Sequence, residues 1–476
     1  MRGTSMPDVG EYNEKLVIQA VRRAPDGISQ AETARRTGLS RQAVSLIVRR
    51  LLDQGLLRTD GSRSGGRGKP STVLRVVPES RLAIGVHLDP SRIAVVLVDL
   101  DLQPRSRRLI AAPTRDPETD IARIGEAIES LRHEVHEELR AEHEKNGGTA
   151  PQDGGAQPQL LGVGIASPGG IDPVRGIVVD PPWLPGWRHV AVVDQLSRRT
   201  GLPAILAKDT HAALTAELWG RPLLRGATYD YLYVGDGIGS ASAEDGTLRH
   251  GGGRAGEIGH LPTGIGDAVC SCGRRGCLNL YTDARRVIGA AREAGIPVEE
   301  GEERGVREQL ELIASRANDG DLAAAAVLEL PGRALGSAVR ALIDLHDPAQ
   351  VIIGGPYWHI VEEIMIPHLQ RAARDASAPG TSQVQIISSH LGPHVGAIGA
   401  ASLFLERDLA PRRLDPTAPD QDDPRGTDSE QATHVVAPGP GGLGAHASTA
   451  ETSNSVSTVP TVVTSTVSRA SGSATS

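Results

Sequence analysis

All three cysteines of the chain fall in one window behind a histidine, His260-x9-Cys270-x-Cys272-x4-Cys277. An odd, clustered set does not describe a disulfide framework. Three thiolates and one imidazole do satisfy a tetrahedral Zn2+ as a closed Cys3His site. The alternative is three inert thiols beside a hydrogen-bonded histidine. Gly273 and Gly276 would let the chain fold tightly around an ion.

A second chemical group is cationic. Residues 1–77 hold 14 Lys+Arg against 7 Asp+Glu, a net of +7, so the remainder carries −15 of the total −8. Clustered cations release counterions when they neutralise phosphates, so a basic head on an acidic body points to a polyanion. Charge alone favours a solvated helical face. The elements decide between the two. Leu16, Val17, Ala20 and Val21 lie on one stripe of a helix predicted over 13–23, which Pro25, Asp26 and Gly27 end. Ser29 with Glu32 has the spacing of a capping box and opens a short helix. Gly38 makes the turn, and Ser40 caps a second helix from Arg41 to about Gln54 with the stripe Val44, Ile47, Val48, Leu51, Leu52. Two strands around the loop SRSGGRGKPS complete a winged helix-turn-helix. In that motif Ser40, Arg41, Gln42 and Ser45 face base edges and Arg49 and Arg50 face phosphates. Arg63, Arg67 and Lys69 of the wing reach backbone or minor groove. The expected partner is a double-stranded DNA operator.

Composition bounds what else the chain can be. From Asp408 to Ser476 there is neither hydrophobic period nor aromatic residue, so this tail is expected to be disordered. The rest is ample for a large core. No run of about 18 uncharged apolar residues and no apolar signal core exist, which predicts a cytoplasmic protein without a membrane span. Residues 141–159 read as a polar Gly-rich surface loop, and the acidic stretch 295–305 as solvated.

Beyond a short linker at 78–81, LAIGVHLDPSRIAVVLVDL reads as two strands folded through a turn. The segments LGVGIASPGGID, PPWLPGWRHV, LPAILAKDTHAALTAELWG, YLYVGDGIGSASAEDGTLRHGGGRAGEIGHL, CSCGRRGC, VIIGGPY and VGAIGAASLFL follow in one order. Together with the winged head, this order resembles the ROK family of repressors and sugar kinases over residues 13–407. The resemblance implies an α/β, actin-like (ribonuclease H-like) two-lobed body with a ligand cleft. Expected boundaries are 1–77 for the head and 82–407 for the body. Lobe one would take about 82–205 plus 395–407, and lobe two about 206–394. The family motif places zinc on His260, Cys270, Cys272 and Cys277. Such a site would pin the cleft wall and leave the other ring nitrogen of His260 for a ligand hydroxyl. Trp183 and Trp187 are expected to pack the cleft rim, and Gly354-Gly355 to mark a strand-to-helix turn.

The family's kinases approach ATP phosphates with two Gly/Thr loops. Their Asp-x-Gly-Gly-Thr-Lys falls on His87, Leu88, Asp89, Pro90, Ser91 and Arg92, and their Gly-Thr-Gly on Gly235, Asp236 and Gly237. Pro90 offers no N–H. An unpaired carboxylate about 4 Å from a phosphate charge costs about 4 kcal/mol at an effective dielectric near 20, several hundredfold in affinity per loop. Phosphoryl transfer is therefore expected to be lost. The kinases' sugar-holding positions read here Lys208-Asp209, Glu257, His260 and Asn279. Lys208 could pair with Asp209 and lower its basicity. This set is compatible with a changed carbohydrate effector and with none. The expectation is a non-enzymatic, sugar-responsive repressor acting as a homodimer or homotetramer on an inverted repeat. The alternatives are an active ATP-dependent sugar kinase with an added DNA-binding head, and a constitutive DNA-binding dimer.

Overall fold

The computed structural model describes residues 6–63, 71–145, 158–181, 183–221, 226–250, 255–298, 305–374 and 384–411. The tail from 412, most of the 141–159 insertion, and 299–304 lie outside them, as do Arg67 and Lys69 and the side chain of Arg63.

The head is built from α1 (Met6–Arg22), α2 (Gln30–Thr37), α3 (Arg41–Asp53), β1 (Leu57–Arg63) and β2 (Ser71–Val76). A two-residue strand, Ile28–Ser29, pairs with β2 to make a three-stranded wing sheet. Both expected caps form: Ser29 Oγ accepts the Glu32 N–H at 3.2 Å and Ser40 Oγ accepts the Ala43 N–H at 3.1 Å. The reciprocal half of the capping box does not, because the Glu32 carboxylate pairs with Arg35 and Arg36 instead. Gly38 turns the chain with φ +74, a left-handed conformation that costs glycine nothing. Helix α1 starts at Met6, seven residues before the expected Asn13, and its buried face is Val17, Ile18, Gln19 and Val21. Gln19 is inside because that side of α1 meets the body, which periodicity within α1 cannot reveal.

The body repeats one topology. Its first sheet contains β3 (Arg81–Leu88), β4 (Arg92–Val98), β5 (Pro104–Ala111), β6 (Gln159–Ser167) and β7 (Ala204–Lys208), in the order β7-β6-β3-β4-β5. Helices α4 (Pro117–Lys145), α5 (Val192–Thr200) and α6 (Asp209–Gly220) accompany it. The second sheet contains β8 (Thr228–Val234), β9 (Ile238–Glu244), β10 (Thr247–Leu248), β11 (Gln350–Gly354) and β12 (Gln385–Ser388), in the order β10-β9-β8-β11-β12. Within each sheet the first two strands form an antiparallel hairpin, and the fourth and fifth add in parallel beyond the first. This is the duplicated two-lobed arrangement expected of the body.

Helices α7 (Asn279–Thr282), α8 (Ala284–Glu293), α9 (Val306–Asn318), α10 (Leu322–His346) and α11 (Trp358–Arg374) surround the second sheet. Helix α10 alone among the described residues is long and apolar enough to cross a membrane. Its Leu328, Leu335 and Val339 are instead buried in a cluster with α9 and α11 side chains such as Ile313 and Leu369. The closing helix α12 (Val395–Leu409) presses onto the first sheet. A Cβ on Gly85 or Gly164 would strike the backbone of Ala397 or Ala400, so only glycine permits that approach.

Head and body share one hydrophobic cluster, in which Val17, Ile18 and Val21 of α1 pack with Trp219 of α6 and Phe404 and Leu405 of α12. The expected linker is a packed 3-10 turn, Pro78–Ser80, whose Pro78 carbonyl accepts the Leu100 N–H at 3.0 Å.

Candidate functional site

Three groups of side chains have geometry suited to chemistry or recognition. The first is the outer face of α3. Val44, Val48 and Leu51 are fully buried, which turns Ser40, Arg41, Gln42, Ser45 and Arg49 to solvent. Arg50 is also exposed, but its Nη1 bonds Glu14 Oε2 of α1 at 2.8 Å. Sequence reasoning missed Leu46, which is 63% exposed on the same face; it lies outside the buried stripe and carries no polar atom to draw notice.

The second group lines the cleft between the two sheets. The two loops expected to correspond to phosphate loops are topological equivalents: each is the turn of its sheet's first hairpin, β3-β4 for Asp89 and β8-β9 for Asp236. They meet in the cleft with Trp183, Lys208, Asp209 and Glu257. Asp89 is buried and its Oδ1 accepts the Ser91 N–H at 2.8 Å and the Ser91 hydroxyl. Asp236 differs from the unpaired carboxylate reasoned above. Arg285 Nη1 and Tyr357 OH both lie 3.1 Å from its oxygens, which offsets part of its repulsion of a phosphate. Burial, and then the Asp89 charge, still push its carboxyl up to about 6.

Asp209 begins α6, and its Oδ1 accepts the Thr210 N–H at 2.7 Å. Burial pushes its carboxyl up to about 7 in spite of the Lys208 cation next to it. The expected Lys208–Asp209 pairing is replaced by another, because Lys208 Nζ reaches across to Glu257 and to the Ala255 carbonyl. The Thr210 hydroxyl, on the same wall, is buried with no hydrogen-bond partner among the described residues. His87, behind Asp89, is buried, which lowers its imidazole, and its Nε2 lies 3.4 Å from Tyr233 OH. Trp187 is wholly buried as packing, whereas Trp183 stays 42% exposed on the cleft wall.

The third group is the Cys3His cluster. The ligand atoms of His260, Cys270, Cys272 and Cys277 all lie within 4.8 Å of one another. His260 Nδ1 is 3.4 Å from Cys270 Sγ, and the Sγ atoms of Cys272 and Cys277 are 3.6 Å apart. Four ligands at Zn–S ~2.3 Å and Zn–N ~2.0 Å on tetrahedral corners would stand roughly 3.5–3.8 Å from each other. The residues present therefore fit zinc, and the sulfur separation is far from a disulfide bond. The backbone N–H of Cys272 holds the Cys270 thiol down to about 6, while burial pushes Cys277 up to about 11. The set proposed for an effector divides here. Lys208, Asp209 and Glu257 line the cleft, whereas Asn279 Oδ1 faces Cys270 Sγ at 3.7 Å and His260 turns Nδ1 to the thiols.

Comparison with known proteins follows the same division. The MarR family model matches residues 11–68 and the ROK family model residues 152–407. The glucokinase of Thermotoga maritima is 31% identical over 52% of this chain and 79% of its own. A putative xylose repressor of Caldicellulosiruptor sp. is 26% identical over 73% of this chain and 83% of its own. The crystal structure of a ROK family transcriptional regulator, a homologue of the E. coli MLC protein, superposes with a TM-score of 0.65 at 21% identity, over 84% of this chain and 98% of that one. The family model spans more than half of the chain and takes in Asp209, Asp236, Glu257 and the cysteine cluster, so the protein belongs to the ROK family and carries a MarR-like winged-helix head in front of that domain.

Proposed function

We propose that this protein is a sequence-specific DNA-binding transcriptional regulator, a repressor whose cleft takes a sugar or sugar derivative and whose phosphoryl transfer is lost. The head to residue 77 would grip an inverted-repeat operator as part of a homodimer or homotetramer, and the body from 82 to 407 would hold the effector. The observation that carries this reading is the free outer face of α3, a row of Arg, Gln and Ser on a head held fast to the body. Relatives named xylose repressors align over 73% and 69% of this chain, N-acetylmannosamine kinases over 67% and glucokinases over 52%.

In the cleft, Asp209 would accept a pair of sugar hydroxyls, and Glu257, with the partnering Lys208, a third. Zinc, where bound, supplies a four-ligand clamp without an open coordination position. His260, Cys270, Cys272 and Cys277 would hold it and fix the loop behind Glu257. An effector moves the DNA-binding equilibrium only by its differential affinity for two head arrangements.

Anisotropy of labelled DNA from the protein's own upstream region tests the reading. The expected result is preference over competitor DNA with steep weakening by salt. Binding without sequence preference refutes it. The second reading, an active kinase, rests on Asp209 being retained among the kinases' sugar-holding positions and on the paired state of Asp236. Turnover of ATP on hexoses or N-acetylhexosamines would establish that reading in place of the first.

A further inference from the structure

We infer that Leu46 is a base-reading residue, packing against the C5-methyl group of a thymine in the major groove of the operator. The inference rests on the proposed DNA-binding role and names the chemistry of one position within it. At about 100° per residue along a helix, Leu46 lies about 40° from Gln42 and about 60° from Arg49. The stripe of Val44, Ile47, Val48 and Leu51 occupies the opposite side, each 7% exposed or less. Leu46 therefore sits at the centre of the outward face, between a bidentate adenine reader in Gln42 and a cation in Arg49, and is 63% exposed.

A single exposed leucine on an ordinary surface calls for no explanation. Here its position does. Every other outward residue from Ser40 to Arg50, apart from the half-buried Ala43, can hydrogen-bond or pair with phosphate. Leu46 can do neither. Inserted in a major groove it would dehydrate base edges and give nothing back unless it met an apolar group. The thymine methyl is the one apolar group that base pairs display there. Gln42 four residues earlier sets the same helical side for an adenine, so a TA or AT step in each half-site offers both contacts to one face of α3. Burying one methyl against Leu46 is worth about fourfold in affinity per half-site, and removing it costs the same.

The test uses the full-length protein. Duplexes selected from a random library give the preferred operator, and each thymine in it is then replaced singly by uracil, which removes the 5-methyl and nothing else. Wild type is expected to lose about fourfold at one thymine per half-site, and Leu46→Ala to bind thymine and uracil duplexes alike at that position. Leu46→Ala lies on the surface and leaves the buried stripe intact; an unchanged melting temperature verifies this. If the operator is selected but no thymine responds differently in the two proteins, Leu46 does not read a methyl while the DNA-binding reading stands. A shift in sedimentation without any methyl effect would assign Leu46 to a contact between copies and overturn the inference. If selection yields no consensus, the underlying DNA-reading proposal fails first.

Discussion

Replacing Asp209 with Asn keeps the shape of the side chain and its acceptance of the Thr210 N–H, and removes a charge that burial disfavours. The folded carboxyl is pushed from 3.8 to about 7, first by burial. At 1.36 kcal/mol per tenfold change in proton affinity, this corresponds to ~4 kcal/mol between the two protonation states. A folded value raised above the unfolded one contributes stability that is fully present below pH 3.8. That contribution is lost as the pH rises through about 7. Urea unfolding of wild type should therefore weaken between about pH 4 and about pH 7, and D209N should lack that part of the slope. At about pH 8 the variant should be the more stable by up to ~4 kcal/mol, the gap closing on acidification. Parallel pH profiles, or a variant less stable than wild type at the alkaline end, would refute the reasoning. The same substitution should weaken any carbohydrate effector by at least about tenfold, since an ionised acceptor of hydroxyls is lost. A destabilising carboxylate buried in a cleft marks a candidate functional site.

Glu217 gives the opposite pH response. It is wholly buried on α6, and burial raises its carboxyl, but hydrogen bonds from His390 and Ser389 and the Arg221 cation outweigh this and hold it below 4.5. Its stabilisation is present above pH 4.5 and is lost as the pH falls through the folded value, so acid unfolding followed by circular dichroism should show a limb that Glu217→Gln flattens. Arg22→Ala removes a guanidinium whose Nη2 donates to the Trp219 carbonyl at 2.6 Å and which lies 4.2 Å above the Trp219 ring. A loss of about 2–3 kcal/mol, with faster amide exchange in α1, is expected; unchanged exchange would show that the head is held by its apolar contacts alone. Metal analysis should find one zinc per chain, and Cys272→Ser should lower both zinc content and melting temperature; zinc well below one equivalent in the wild type would sink the four-ligand assignment.

Much of this architecture was legible in local sequence because its causes are local. Ser29, Gly38 and Ser40 act within four residues of themselves, and both caps and the turn form where they were read. The cysteine cluster was legible because spacing along a tight loop nearly determines spacing in space. Pairing across the cleft was not. Lys208 chooses Glu257, 49 positions away, over its neighbour Asp209, and Asp236 is partnered by Arg285 at the same separation. Such choices depend on where two sheets are placed, which no local pattern encodes. The buried Gln19, whose Nε2 donates to the Leu409 carbonyl at 3.0 Å, has the same origin. Asn279 falls on a sugar-holding position of the motif, but its Oδ1 contact with Cys270 Sγ at 3.7 Å depends on the turn that begins α7, which the motif does not encode.

The longest-range consequence of these placements runs through α6. The twelve residues of this helix span ~18 Å at 1.5 Å per residue. Asp209 at its first turn lines the cleft, and Trp219 at its last turn carries Arg22 of the head. Trp219 Nε1 also donates to the Leu100 carbonyl at 2.8 Å, beside the turn that joins head to body. The middle of the helix is held against α12, where a Cβ on Gly399 would collide with the Ala212 backbone. Close-packed helices do not absorb displacement by local give; they shift as bodies. A ligand that drew Asp209 towards the opposite lobe would therefore act on the same helix that seats Arg22. The packed Pro78–Ser80 turn leaves little slack in which that movement could be lost. An effector acting in this way would need no flexible linker, because the two ends of α6 are anchored to different parts of the molecule.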